Sequence, residues 1–540
     1  MVGANCFHSR ESRHWFTRPV VQRVPFDLEE DSTNHMVLLA VTLVVAGLAG
    51  RPLTRSKAIS AASAADRVIT AADCVAAATE LPLRIDGEWY DVSGWADGHP
   101  GGRWLLEYAR GRDVTALFHA IHMKNSNKVS AALQRLPQLD AGSLRQPSKP
   151  VPFPTQQVEE GALQGPYVLA GLDGKPAPET PPLPPIDSPL RRELAAMLRR
   201  EFPTPASSKA SPAHWARTLV ALAGTLGCWA GWAHGSGLAC LLLPFVHWVL
   251  IAHTVHEATH GNLHTDPRVN FWAQFTSHPI CFNVFVWIPQ HLLSHHQYTN
   301  DYEHDVDCHH FAPAMLSDVQ PRMASPESSF NQGWTFVWKG CLTTLGTSIL
   351  QPLRTLREKP TPNYDVNVTP VPAAVSKSTL WLSVLPSLLV LLYPLLVWVP
   401  QAPLLGLWLL VWPWVGMSLI FTTMTQVSHV QQACQPSQQL SPCWTSRQIH
   451  ASLDYSLGVR RDGTQTPKAE QQLVTALAAG LNAQSLHHAM PSLSCAHFPR
   501  IYAEYAAICE RHGVKIRHSD HVGTAVASML GYVFENNKPL

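Results

Sequence analysis

Apolar residues along the chain are concentrated in a few long runs. Four of them approach the length of about 20 residues that a helix needs to cross a bilayer. These four predicted spans cover residues 217–233, 238–255, 379–399 and 404–425. Only four residues separate the first two, and only four separate the last two, so the pattern predicts two transmembrane hairpins.

Basic residues predict the orientation of these hairpins. Neither short connection contains Lys or Arg, whereas several basic residues flank the other ends: Arg217, Arg354, Arg357, Lys359 and Lys377. The positive-inside rule places those ends in the cytosol. A span at the further apolar run 334–352 would break this arrangement, so we expect that run to lie at the membrane interface.

The polar stretches predict the remaining organisation. Residues 67–137 have the mixed polar and apolar composition of a small soluble domain. The alternation of apolar and polar residues in "LRIDGEWYDV" predicts two strands joined by a turn at Asp86-Gly87. Proline-rich residues 138–186 predict an extended linker. Residues 187–520 contain the four spans, and 521–540 are a C-terminal tail.

Two segments outside the spans favour a membrane setting. Ser188 and Pro189 begin a basic amphipathic helix that we expect to lie on a membrane surface. Residues 1–66 contain a short apolar run, 36–50, followed by basic and Ala/Ser-rich sequence. This tail is typical of a signal anchor or targeting leader, and equally of a disordered tail with one sticky segment.

Composition narrows the class of protein. Hydrophobic residues make up 46% of the 540 positions, charged residues only 15%, and the formal net charge is +1. This balance is typical of a membrane protein with soluble parts and gives no reason to expect a nucleic-acid partner. The 11 cysteines are dispersed without a C-x-x-C pair, which favours reduced, non-ligating thiols on the cytosolic side. Many of the 28 histidines stand in tight groups, as metal or heme ligands do.

Two histidines of the small soluble region are candidate heme ligands. His99 begins "HPGG", a turn whose glycines let the backbone approach a flat group, and His122 follows Phe118 in a helical stretch. Bis-histidine ligation is one of the ways in which proteins hold an electron-transferring heme. From spacing alone, however, a structural loop histidine is the favoured interpretation of His99.

The same stretch closely resembles cytochrome b5 in "DG-x-x-YDV", "HPGG" and "GRDVT-x-x-F". The resemblance implies a small α+β heme domain with His99 and His122 as axial ligands of heme b. His119 is also present, and the family's spacing from phenylalanine to histidine favours His122.

The remaining histidine groups fall at the predicted cytosolic ends of the spans. They form three boxes and one single residue: His256 and His260; His291, His295 and His296; Gln484, His487 and His488; and His429. Residues four apart share a face of a helix, so we expect His256 to share one with His260, and His291 to share one with His295. Four further histidines have a simpler interpretation, in which each is a core residue that makes one hydrogen bond: His247, His253, His264 and His304.

Eight histidines exceed the three or four ligands of one zinc ion and suit two metal ions. Ligand type alone does not choose the metal, since imidazole binds zinc, copper, iron and nickel. An attached heme domain implies redox chemistry, which zinc lacks, so two iron ions are the economical choice.

The three boxes, the glutamine in the third box and the heme region together resemble the cytochrome b5-fusion front-end fatty acid desaturases. The resemblance covers about residues 68–520, and "QHLLSHHQYTND" and "GLNAQSLHHAMPSLSCAHFPRIY" are its most specific stretches. It implies a heme domain followed by an all-α integral membrane domain with four transmembrane helices in two hairpins. The third box departs from the family pattern at Leu486, Ala489 and Met490, which puts the nearby substrate contacts in doubt.

The resemblance also implies the reaction. An O2-dependent desaturase would take electrons from NADH through NADH-cytochrome b5 reductase and its own heme. It would introduce a cis double bond into a polyunsaturated acyl chain, with Δ5 or Δ4 favoured and Δ6 an alternative. The two irons would be bound by the eight histidines, with Gln484 as an oxygen ligand or close neighbour. The expected location is the endoplasmic reticulum with cytosol-facing sites, or a plastid membrane.

Other functions remain open from the sequence. A sphingolipid long-chain-base Δ8 desaturase and a lipid hydroxylase share much of this pattern, and a non-enzymatic membrane electron carrier is a further alternative. His256-Glu257-Ala258-Thr259-His260 is a literal H-E-x-x-H, the motif of zinc proteases with Glu257 as general base. That interpretation leaves the heme region and the other two boxes unexplained.

Overall fold

The computed structural model describes residues 81–110, 113–139, 168–170, 184–301, 305–320, 322–324, 330–357, 375–438, 441–460 and 462–539. The predicted tail 1–66 and most of the proline-rich linker lie outside these residues, as does His304. The boundaries that the sequence suggests for the domains therefore stay predictions.

The N-terminal region, residues 81–139, is a small sheet covered by short helices. Strands β1 (Pro82–Ile85), β2 (Glu88–Asp91) and β3 (Gln138–Leu139) pair in the order β1-β2-β3, all antiparallel. Asp86 and Gly87 both have positive φ, 52° and 88°, as a two-residue hairpin turn requires. The predicted strand, turn and strand are confirmed. Three helices complete the region: Arg103–Ala109, Thr115–Ile121 and Ser126–Leu133.

The rest of the described chain is almost entirely helical. Its longer helices are Pro189–Glu201, Pro212–Ala233, Gly237–Ile251, Gly333–Gly340, Lys377–Tyr393, Pro403–Gln426, Lys468–Ala478, Phe498–Arg511 and Val522–Asn536. Its shorter helices are Glu257–Thr259, Pro267–Ala273, Val284–Ile288, His296–Tyr298, Thr343–Leu345, Gln351–Arg357, Val399–Gln401, Trp444–His450 and Gln484–Ala489. Two short strand pairs remain: β4 (Val168–Ala170) with β5 (Arg322–Ala324), antiparallel, and β6 (Leu453–Tyr455) with β7 (Arg517–Ser519), parallel.

Among the described residues, three helices are long and apolar enough to cross a membrane, judged by length and composition: Gly237–Thr259, Lys377–Gln401 and Pro403–Gln426. They contain three of the four predicted spans. The fourth, 217–233, lies in helix Pro212–Ala233, which is not among them, since several Gly, Thr and Ala residues dilute its hydropathy. The prediction of four spans is therefore confirmed only in part.

Helix Pro212–Ala233 nevertheless packs along helix Gly237–Ile251 as the other half of a hairpin. The two hairpins are joined at their loop ends, where Trp232 Nε1 donates to the Leu409 carbonyl at 2.9 Å and Tyr393 Oη donates to the Ala233 carbonyl at 2.8 Å. Leucines on the outer faces are exposed, Leu404 by 85%. A soluble protein rarely exposes so continuous an apolar surface, so these faces suit contact with lipid.

The predicted surface position of the amphipathic helix is wrong. Ser188 caps helix Pro189–Glu201 as expected, with its side chain accepting from the Arg191 amide. The apolar face, however, packs into the protein core, and Leu194 is completely buried there. The hydrophobic periodicity predicted an apolar face correctly, but it did not distinguish a lipid surface from a protein surface.

The N-terminal region packs directly on the helical region. Buried residues from both sides form one apolar cluster, which contains Leu106 and Leu117 from the first and Phe285 and Leu293 from the second. Ala116 and Ala120 pack against Trp444 in a second, smaller cluster. The helix Thr115–Ile121 therefore contributes to the contact between the two regions, together with helix Arg103–Ala109 and the turn Met123–Asn125.

Candidate heme and metal centres

His99 and His122 face each other across the N-terminal region. Their ring centroids lie 6.3 Å apart, with the ring planes at 71°. Two imidazoles that bind one metal from opposite sides, each with its nitrogen about 2 Å from the ion, have centroids about 6 Å apart. The pair thus has the separation that axial heme ligation needs.

Hydrogen bonds leave one nitrogen of each ring available. His122 Nδ1 donates to the Phe118 carbonyl at 2.8 Å, and His99 Nδ1 lies 3.4 Å from the Gly102 carbonyl oxygen. Burial lowers the pKa of His99, and burial together with the nearby His99 lowers the pKa of His122 to about 4. Both rings are therefore neutral at physiological pH, the form in which imidazole binds metals.

His119 points elsewhere. Its Nε2 lies 2.9 Å from the Asp86 carboxylate at the hairpin turn. This arrangement supports His122 as the second axial ligand, in agreement with the spacing from Phe118.

The histidines of the three boxes converge in the helical region. Five of them offer one ligand atom each within 4.8 Å of one another: His256, His260, His291, His296 and His487. The Nε2 atoms of His260 and His291 are 2.9 Å apart, and His296 Nε2 lies 3.2 Å from those of His291 and His487. Ligands of one metal ion at about 2 Å have neighbouring donor atoms about 3 Å apart.

A second group lies beside the first. His295, His429 and His488 offer ligand atoms within 4.8 Å of one another. The side-chain amide of Gln484 points at this group, with its nitrogen 3.0 Å from His429 Nε2 and 3.3 Å from His488 Nε2. Amide oxygen and nitrogen are interchangeable in such a geometry, so Gln484 can present an oxygen to a metal here.

The rings of His296 and His488 stack at 4.4 Å and join the two groups. Together the groups contain the eight histidines predicted from the sequence, divided five and three. The donor set is therefore that of two neighbouring metal sites built almost wholly from imidazole.

Wide helical turns explain how the second box divides between the groups. The segments Ala252–His256 and Pro289–His295 are π-helical, a conformation that is common at functional sites. The sequence suggested His291 and His295 as the pair sharing a face, because a regular helix repeats about every 3.6 residues. The wider turn instead brings His291 to His296, five residues on, and leaves His295 to the other group.

Burial controls the protonation of most of these rings. It lowers the pKa of His291, His296, His487 and His488 well below the usual value, and neighbouring histidines lower it further. Burial likewise lowers the pKa of His429 to about 3. Neutral rings are ready to bind metal without first losing a proton.

His295 differs because carboxylates surround it. Burial lowers its pKa, but Asp305 and Asp307 raise it more, to about 9. Asp305 Oδ2 lies 3.1 Å from His295 Nδ1 and also accepts the Asn300 amide at 2.8 Å. A carboxylate bonded to the far nitrogen of a ligand histidine orients the ring and raises its basicity.

Other polar side chains orient the rings from behind. His488 Nδ1 lies 3.0 Å from Gln448 Oε1 and 3.1 Å from Thr299 Oγ1, and His429 Nδ1 donates to the Ala451 carbonyl at 3.0 Å. None of these three partners was predicted from the sequence. Of the groups that orient the rings, only Asp305 could have been found from the sequence, because it stands in the motif "HDVD" shortly after the second box.

Glu257 does not face the metal histidines. Its Oε1 accepts from the Cys495 amide at 3.2 Å, and the side chain is buried. A protease base must reach the water that its zinc activates. The geometry therefore removes the main support for the protease alternative.

Comparison with known proteins agrees with this donor set. A model of the fatty acid desaturase family matches residues 236–520, more than half of the chain. The chain belongs to the fatty acid desaturase family. A cytochrome b5-like heme/steroid-binding domain model matches residues 79–144 of this desaturase. The resemblance to cytochrome b5-fusion front-end desaturases is thereby confirmed.

Curated relatives of the desaturase share this activity class. It is 28% identical to the acyl-lipid omega-13 desaturase of Chlamydomonas reinhardtii over 80% of this chain and 88% of the relative. It is 25% identical to the acyl-lipid (8-3)-desaturase of Mortierella alpina over 84% and 93%. It is 26% identical to the chloroplastic acyl-lipid (7-3)-desaturase of C. reinhardtii over 83% and 79%. No solved structure is significantly similar to the chain.

The family determines the general chemistry. The desaturase is a membrane-associated oxidoreductase that acts on acyl lipids, with a heme in its cytochrome b5 domain and a diiron site. The residues present fit both cofactors, since His99 and His122 have the separation of axial ligands and eight histidines form two adjacent donor groups.

Proposed function

We propose that this desaturase introduces a cis double bond into a long-chain polyunsaturated acyl chain, between an existing double bond and the carboxyl end. Δ5 or Δ4 is the favoured position, ahead of Δ6. The observation that most supports it is the convergence of eight histidines into two adjacent donor groups beside a docked heme domain. The names of its relatives, which include (8-3), (7-3) and 6-desaturases, agree with desaturation near the carboxyl end.

The two donor groups define the proposed iron ligands. The first iron takes His256, His260, His291, His296 and His487, and the second takes His295, His429 and His488 with the Gln484 amide. When bound, the heme supplies single electrons and the irons use them with dioxygen to remove two hydrogens from adjacent methylene groups. The protein's part is to hold these imidazoles in place and to exclude water from around them.

Electrons would come from NADH through a separate cytochrome b5 reductase. The docked arrangement supports a direct onward path within the chain. Leu117, in the helix that precedes the heme ligand His122, donates its amide to Gln297 Oε1 at 3.3 Å, and Gln297 follows the iron ligand His296. Trp444 Nε1 donates to the Gln297 carbonyl at 3.1 Å. The ligand-bearing elements of the two centres thus touch.

An apolar wall beside the first donor group suits an acyl chain. Trp287 stacks on His291 with centroids 4.5 Å apart, and Phe282 stacks on Trp287 at 4.3 Å. Phe421 packs against both aromatic rings. We propose that methylene groups pass along these rings to reach the irons, since flat apolar surfaces bind alkyl chains without competing polar contacts.

The proposed setting is a four-span protein of the endoplasmic reticulum with both metal centres on the cytosolic side. Helix Pro212–Ala233 would supply the fourth span, because it pairs with Gly237–Ile251 in the first hairpin. A plastid membrane is the alternative, and one relative is named chloroplastic.

Expression in yeast fed one fatty acid at a time tests this proposal. Mass spectrometry of the extracted lipids locates any new double bond. We expect a product only from substrates that already contain a double bond, with the new bond nearer the carboxyl end. A new bond solely in sphingoid bases, or a hydroxylated product, would contradict it.

A further inference from the structure

Three buried metal-binding side chains lie together outside the iron histidines. One ring nitrogen each of His214 and His253, and the Cys495 sulfur, lie within 4.8 Å of one another. The three side chains are 0%, 1% and 4% exposed. They come from the start of helix Pro212–Ala233, the π-helical turn before His256 and the turn after the third box.

Each ring of this group is held in one tautomer. His214 Nε2 donates to the His253 carbonyl at 2.8 Å, and His253 Nε2 donates to the Ala476 carbonyl at 2.6 Å. Metal-binding histidines characteristically donate their other ring N–H to a carbonyl or carboxylate in this way. The remaining nitrogen, Nδ1, is buried without a hydrogen-bond partner in both rings. Two buried ring nitrogens without a partner, in a group that also contains a buried thiol, call for a ligand.

The charges around the group are mixed. The Glu257 carboxylate lies against Cys495 and accepts its backbone amide at 3.2 Å. A thiolate and this carboxylate would supply two negative charges to a divalent cation. Lys209 lies near Glu257, and Arg217 lies near Cys495, so these two cations offset part of that negative charge.

We propose that His214, His253 and Cys495 supply three of the four ligands of a zinc ion, separate from the diiron site. Two imidazoles and one thiolate are a donor set that zinc prefers, and the thiolate excludes the harder magnesium and calcium ions. Binding breaks the Cys495 S–H bond and forms a sulfur–zinc bond, and the proton passes to solvent. This assignment differs from the expectation that no cysteine is a ligand.

Such an ion would fasten the first and third boxes together. His253 lies three residues before His256, and Cys495 lies seven residues after His488. Zinc has no redox chemistry, so it would hold these segments without diverting electrons. A cavity of about 1070 Å³ that His253, Cys495 and Arg217 partly line gives an ion a path to the site.

Metal analysis of the purified full-length holoenzyme tests the proposal. We expect about one zinc per heme in addition to iron. In His214→Gln and Cys495→Ser, zinc should fall at least about tenfold while heme and iron stay bound. His247→Gln is the matched control: His247 also donates Nε2 to a carbonyl and has an unpartnered Nδ1, but it belongs to none of these donor groups.

Cobalt(II) keeps the test decisive if a variant fails to fold. Cobalt at this site would show a thiolate-to-cobalt charge-transfer absorption, which the all-imidazole and amide iron ligands cannot produce. Wild-type protein should show that band, and added zinc should remove it. A wild-type holoenzyme without zinc and without the band would overturn the proposal, as would zinc retained in both folded variants. Desaturase activity is not needed for either readout, so the two proposals fail separately.

Discussion

At the scale of single residues, the diiron site depends on groups that never touch a metal. Each ligand ring must present one chosen nitrogen, and the partner on its other nitrogen makes that choice. Asp305 does so for His295, and Gln448 and Thr299 do so for His488. Replacing such a partner should weaken metal binding without removing a ligand.

Asp305→Asn tests this dependence. An amide cannot supply the negative charge that raises the basicity of His295, so we expect iron affinity to fall about 10- to 100-fold. Iron per heme in purified protein measures the effect, and product formation should fall with it. Asp462→Asn, at an exposed carboxylate bonded to Thr464, is the matched control and should change neither. Equal iron content in the two variants would show that Asp305 does not support the site.

The convergence of the histidines was predictable from the sequence, whereas the groups that hydrogen-bond to them were not. The spacing of the three boxes is enough to mark His256, His260 and the other box histidines as one group of ligands. Gln448 and Thr299 stand in ordinary sequence, and only the fold brings them to His488. His253 shows that sequence spacing can also miss a candidate ligand. Its isolated position in the sequence suggested a core histidine, but the fold places it beside His214 and Cys495.

At the scale of elements, helix geometry decides which ligands meet. A π-helical turn through Pro289–His295 brings His291 to His296 and gives His295 to the second group. Periodicity in the sequence assumed regular helix and therefore predicted a different pair. Periodicity also failed for helix Pro189–Glu201, because an apolar face packs equally well on protein or lipid. The hairpin turn at Asp86-Gly87 was predictable because its two residues tolerate positive φ.

The helix Thr115–Ile121 is one of two helices of the heme domain that contact the second box, the other being Arg103–Ala109. Ala120, 2% exposed, packs against Trp444, so Ala120→Trp should clash there. Overpacking of this kind costs about 1–3 kcal/mol, which would shift docking about 5- to 150-fold toward the separated state. Heme should stay bound, while substrate-dependent reoxidation of the reduced heme should slow.

Stopped-flow absorbance of the heme measures this rate. Ala131→Trp places the same side chain on an exposed position of the same domain and should leave the rate unchanged. If the heme of Ala120→Trp is reoxidised as fast as that of Ala131→Trp, electron transfer does not depend on the contact between Ala120 and Trp444.

At the scale of the whole molecule, the desaturase joins a cytochrome b5 heme domain to a membrane-associated diiron domain. The order of the parts was predictable because each part has its own motif. The docked face was not, since Leu117 and Gln297 lie 180 residues apart and no local pattern connects them. The prediction of four spans is confirmed only in part, because helix Pro212–Ala233 is less apolar than the three candidate spans.

Removal of the heme tests how far the attached donor is needed. His99→Ala loses one axial ligand, so we expect loss of the heme absorbance and a large fall in desaturation. Iron should remain, because His99 lies outside both donor groups. Added soluble cytochrome b5 should restore part of the product, and full activity without heme or added protein would exclude the domain as the donor.

The most direct test of the central claim is product formation by His296→Ala and His488→Ala in yeast supplied with substrate. Each variant removes one ring of the stacked pair that joins the two donor groups. Mass spectrometry should find no new double bond in either variant, while the heme absorbance of both matches wild type. Undiminished product in both would contradict a diiron site built from these histidines.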